Sequence, residues 1–169
     1  MTGKQDLMLP RRWTILGGAA LAAGAAVPAR AQLTIDMTRP SFEPVPIAIV
    51  DFAGDRVGAE IANVIRNDLQ NSGLFRSIPP GSFIEKNLSA SASPRFPDWR
   101  ALNAQALVTG AAEVQTDGRL KIEFRLWDVI GEQQMVGLAY FTVPQNWRRV
   151  AHIIADQIYK RITGEDGYF

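Results

Sequence analysis

The stretch from Val45 to Phe75 limits what this chain can become more than any other. It opens with Pro46-Ile47-Ala48-Ile49-Val50, a short apolar run rich in β-branched residues and too short for a buried helix. Such a run reads as a strand buried on both faces. A turn-like Asp51-Phe52-Ala53-Gly54-Asp55 follows. Then Ile61, Val64, Ile65 and Leu69 recur at spacings of three and four, one apolar stripe of a helix, with Arg66, Asn67 and Gln70 expected to face away. Gly73 stands where a helix closes on a left-handed residue that glycine adopts at little cost. A strand with a helix laid back over its sheet is the frame on which later elements must pack.

Composition matters at three points. With 169 residues, 47% of them hydrophobic, the chain can bury a core for one domain. A formal net charge of +1 lacks the basic face that a nucleic-acid partner requires, so none is expected. The absence of cysteine excludes disulfides, thiol catalysis and thiolate-held metal.

Residues 1–31 do not read as fold. Arg11-Arg12 precedes an apolar stretch from Trp13 to Val27, and Pro28-Ala29-Arg30-Ala31 supplies small residues at a cleavage-like site. This is the layout of an export signal removed after about Ala31. The paired arginines resemble a twin-arginine leader. A membrane anchor fits less well, because a span needs about 20 apolar residues. The expected product is exported, does not insert into a membrane, and occupies residues 32–169.

After the signal, Gln32-Leu33-Thr34-Ile35-Asp36-Met37-Thr38 alternates apolar and polar, as a half-buried strand does. A proline-rich connector, Arg39 to Pro44, follows. By alternation alone this segment is the first strand of the sheet. Its tether also makes it an edge strand able to pair with another chain. Further on, Pro79-Pro80 suits an extended link. Asn87 to Pro97 is polar and rich in Ser, Ala and Pro, which predicts a mobile surface loop, and Asp98 to Leu102 a short helix. Ala106 to Gln115, Leu120 to Leu126 and Gln133 to Val143 read as three strands of an antiparallel meander. Thr116-Asp117-Gly118 is the sharper of its two turns. A last helix begins after Pro144 and runs to about Thr163, with Trp147, Val150, Ala151, Ile154, Ile158 and Ile162 on one face. The economical arrangement is α+β: a single domain, a mixed sheet of about five strands, and two long helices packed on one face.

No catalytic set is visible. His152 is the only histidine and is expected off the apolar face of the last helix, near Arg148 and Asp156. A general base needs a positioned partner and a cleft. Asp51 directly follows a strand, where catalytic acids occur, but a turn role is the simpler reading. Trp99, Trp127 and Trp147 read as core or boundary aromatics rather than ligand platforms. No metal or cofactor is expected.

Several fragments, in order and spacing, resemble the amino-terminal domain family of TolB. They are Pro46 to Phe52, Ile61 to Leu69, Ser72 to Phe75, Ala106 to Gly110, Phe124 to Val129, Ala151 to Asp156, and Ile162 to Gly164. The resemblance covers nearly all of residues 32–169. It implies a non-enzymatic periplasmic adaptor of the Tol-Pal system, which keeps the outer membrane intact and draws it inward at division. It also implies that Gln32, Leu33, Thr34, Ile35, Asp36, Met37 and Thr38 form the segment that recruits the inner-membrane partner TolA. Under that reading the edge-strand alternative is favoured, with Leu33, Ile35 and Met37 docking on one face by β-addition. In the family a β-propeller carries the main Pal-binding surface. The given sequence reaches Phe169 without a propeller blade, which leaves Pal a less favoured partner than TolA. Two alternatives remain open: a truncated, partly inactive TolB, and a separate periplasmic binding module serving a cell-wall synthase or an assembly process.

Overall fold

A computed structural model describes residues 43–86, 88 and 90–169. The export signal and the segment Gln32–Thr38 lie outside the described residues. Strand β1 (Val45–Ile49) is buried along its whole length. It is followed by a two-residue strand β2 (Ala53–Gly54), helix α1 (Val57–Asn71) and strand β3 (Phe75–Ser77). A short helix α2 (Phe96–Ala101) precedes β4 (Ala106–Val114), β5 (Leu120–Asp128) and β6 (Gln133–Thr142), and helix α3 (Trp147–Thr163) follows. The sheet runs β3-β1-β4-β5-β6, with β2 paired to β4. β1 is parallel to both β3 and β4, whereas β4, β5 and β6 form the antiparallel meander. The fold is therefore the expected α+β: a mixed sheet with two long helices in one domain.

The two faces of β1 sort the core. Ile47 and Ile49 point to one side, where Ile61, Ile65 and Leu69 of α1 meet Ile154, Ile158 and Ile162 of α3. Phe124 and Leu126 of β5 complete that layer. Burying each of these side chains contributes about 1.5–3 kcal/mol. Ala48 and Val50 point to the other side, into a second cluster with Phe83, Leu88, Phe96, Trp99, Leu107 and Trp127. This second layer corrects the expectation of a mobile loop over Asn87 to Pro97. Leu88, Ala90 and Phe96 are buried, and Trp99 is 1% exposed. Phe83 stacks edge-on against Trp99 at 5.1 Å, and Phe96 against Trp127 at 6.0 Å.

Handedness explains why that segment crosses the far face. The β1-α1-β3 crossover moves one way along the sheet, and the β3-to-β4 connection moves back past β1. Parallel crossovers are right-handed almost without exception. Reversing direction therefore requires the second connection to run over the opposite face. β3 itself falls where the sequence reads as the approach to an extended link. Its short run is fixed by pairing with β1, from Val45 opposite Phe75 to Ile47 opposite Ser77.

Local chemistry sets the element ends. α1 stops as Gly73 turns left-handed at φ +75°. The β4–β5 hairpin closes on Gly118 at φ +80°, with Gln115 donating to the Arg119 carbonyl at 2.8 Å. α3 ends at Gly164, φ +82°, whose N–H donates to the Lys160 carbonyl. Lys160 and Arg161 sit in its last turn, where positive charge complements the helix dipole.

Candidate functional site

The side chains that sequence reasoning tested for catalysis are each committed elsewhere. Asp51 pairs with Arg66 at 2.5 Å. His152 Nδ1 lies 2.7 Å from Asp68 Oδ2, across the contact between α3 and α1. No hydrogen bond or ion pair joins Asp51 to His152 among the described residues. His152 thus binds neither Arg148 nor Asp156. Asp156 instead accepts from the Phe169 backbone at 3.0 Å, and Arg148 lies over the Trp147 ring. Among the described residues there is no cluster of three or more His, Cys, Asp or Glu able to hold a metal.

Arg66 corrects a second expectation. It does not face solvent: it is 9% exposed, and its guanidinium reaches the end of β1. There it donates to the Ile49 carbonyl and to Asn63 and Asp51 side chains. No helical periodicity signals this, because the arginine occupies the border of the stripe and its partner is a backbone oxygen. Asp68 was missed for a different reason, since 84 residues separate it from His152.

The tryptophans are largely structural. Trp99 and Trp127 belong to the second core cluster, and Trp127 Nε1 donates to Thr109 Oγ1 at 3.1 Å. Trp147 packs at the rim of the first. The predicted partner-binding residues, Gln32 to Thr38, lie outside the described residues. The described chain begins at Glu43, immediately before the central strand β1.

What remains accessible is the sheet's outer surface. The edge at β3 is three residues long and carries Arg76, which is exposed. The edge at β6 is ten residues long and carries no charged side chain. Along the open face of β5, Lys121 Nζ sits 2.6 Å from Glu123 Oε2. Its hydrogen bond to Glu123 holds the Lys121 ammonium above its usual range. Among the described residues, no helix is long and apolar enough to cross a membrane. These surfaces suit contacts with another polypeptide better than chemistry on a small molecule.

Comparison with known proteins places the chain in a family. The profile of the family described as the TolB amino-terminal domain matches residues 33–135. A Tol-Pal system protein TolB from Paramagnetospirillum magneticum is 53% identical over 154 residues, covering 88% of this chain and 34% of that protein. The crystal structure of TolB from Acinetobacter baumannii superposes with a TM-score of 0.60 and 28% identity, covering 80% of this chain and 32% of that one. The chain thus spans about a third of the length of these relatives.

Proposed function

Because this chain belongs to the TolB amino-terminal domain family, we propose that it is a non-enzymatic periplasmic adaptor of the Tol-Pal system. It acts through protein contacts in keeping the outer membrane intact and drawing it inward at division. The segment Gln32 to Thr38 recruits TolA by adding an extended strand to it, with Leu33, Ile35 and Met37 on the docking face.

The observation that carries this reading is where the family match starts. It begins at residue 33, inside the alternating segment, and so treats that segment as part of the domain. The engagement of Asp51 by Arg66 and of His152 by Asp68 supports the non-enzymatic half of the proposal. Asp68 orients the His152 ring, but no hydrogen bond or ion pair joins His152 to Asp51 among the described residues, so the two do not form the nucleophile-and-base set that turnover needs.

Capture from a periplasmic extract tests the assignment to the system. The chain, immobilised, is expected to retain TolA. Retention of a cell-wall synthase with no Tol component would overturn the proposal.

A further inference from the structure

Among the described residues, β6 closes one side of the sheet and pairs only with β5. Long exposed edges are normally guarded by lysines, prolines or short length, because open backbone groups template pairing with other chains. β6 runs QQMVGLAYFT, ten residues without a charge or a proline. Its only irregularity is a register shift near its start, between Gln134 and Val136. Leu138 is 42% exposed, and Phe141 and Val143 just beyond are half exposed.

Two shallow grooves flank this one strand. On the helix side, Val136, Gln157, Arg161 and Ile162 line a groove of about 480 Å³ with an apolar floor. On the open side, Glu123, Arg125, Gln134 and Gly137 line a more polar groove of about 300 Å³. Gly137 lies opposite Arg125, and its lack of a side chain makes room for the Gln134 amide. A side chain there would strike Gln134, 2.6 Å from the Cβ position.

A strand added to β6 presents alternate side chains to these two grooves, since successive residues face opposite sides. The helix-side groove takes apolar residues. The other takes polar ones, and its charge balance selects their sign. Glu123 is already neutralised by Lys121. Arg125 has no ion-pair partner among the described residues, and neither does Arg161 at the rim of the opposite groove. Unpaired cations on both flanks favour an acidic partner.

We propose that the β6 edge is a second docking site, distinct from Gln32–Thr38. It accepts in trans an extended acidic segment of a partner polypeptide whose apolar and carboxylate residues alternate. The apolar residues lie against the partly exposed Val136, and a carboxylate faces Arg125.

The test uses the full chain and an end-capped synthetic heptapeptide alternating Ile with Asp, followed by fluorescence anisotropy. A lysine-for-aspartate version and a version N-methylated at alternate amides serve as comparisons. The acidic peptide should bind at least about tenfold more tightly than either. R125E should reverse the preference between the acidic and basic peptides, and L138K should weaken both, with circular dichroism and Tm showing that each variant folds. Equal binding of all three peptides, or affinity indifferent to R125E, would overturn the proposal. Two other outcomes would also overturn it. One is self-association in sedimentation that L138K abolishes, which makes a second copy the occupant. The other is peptide binding seen only after deletion of Gln32–Thr38, which makes that segment the occupant. Failure here leaves TolA recruitment untouched, because that reading is tested with a different partner and a different segment.

Discussion

Arg66 donates twice to a single backbone oxygen, from Nε at 3.1 Å and from Nη2 at 2.8 Å, and that oxygen belongs to Ile49 at the end of β1. A buried guanidinium is tolerable only when its donors are met and its charge is balanced. Nη1 meets Asn63 and Nη2 also meets Asp51, so the group ties α1 to the strand beneath it.

Removing the guanidinium should therefore cost more than removing the acid. R66A leaves the Ile49 carbonyl and Asn63 without their donor and is expected to lose about 2–4 kcal/mol in urea unfolding. D51N should lose less than about 1 kcal/mol, because Asp51 is 56% exposed and water screens its half of the pair. Equal losses would contradict the clamp.

Trp99 tests the second core layer. It is almost fully buried against Phe83, and its indole N–H points to Glu85 at 3.4 Å. W99A is expected to destabilise the domain by about 3–5 kcal/mol. If the segment over residues 83–99 were a loose loop, the midpoint of unfolding would scarcely move.

The contact between His152 and Asp68 joins the two long helices. A double-mutant cycle with H152A and D68A should give a coupling of about 0.5–1 kcal/mol, modest because His152 is 35% exposed. The same substitutions should leave partner binding unchanged. A loss of binding without loss of fold would give His152 a role that its position does not suggest.

At the tip of the β4–β5 hairpin, Asp117 accepts from the Arg119 backbone N–H at 3.0 Å and from its Nε at 2.7 Å. The backbone hydrogen bond chiefly, with the side-chain bond next, holds this carboxyl below its usual value. A depressed folded-state pKa contributes stability above the unfolded pKa, and that contribution is lost as pH falls through the folded value. Carboxyl NMR should show Asp117 titrating below a free aspartate. R119A keeps the backbone N–H and removes the side-chain donor, so it should move the value only part of the way back. An unchanged titration in R119A would refute the side-chain contribution, and an Asp117 titrating like a free aspartate in the intact chain would refute the assignment.

The sequence displayed one half of this fold and concealed the other. The stripe Ile61-Val64-Ile65-Leu69 and the alternation Leu120-Ile122-Phe124-Leu126 are periodic, so α1, α3 and the meander were legible. The second layer was not. Phe83, Phe96 and Trp99 are spread through polar residues with no period, and what buries them is the handed return over the far face. Arg66 was hidden for a related reason: a charge beside an apolar stripe reads as solvated until a backbone acceptor is placed above it. The export signal was read from patterning and the proposed role of Gln32–Thr38 from the family resemblance, and both stretches lie outside the described residues.

The central claim is that residues Gln32 to Thr38 recruit TolA while the domain behind them serves as a folded support. Calorimetric titration of the periplasmic domain of TolA into the intact chain and into the chain lacking Gln32–Thr38 measures this directly. The account predicts saturable binding to the intact chain and none to the deletion, with both unfolding at the same temperature. Unchanged affinity in the deletion would contradict it.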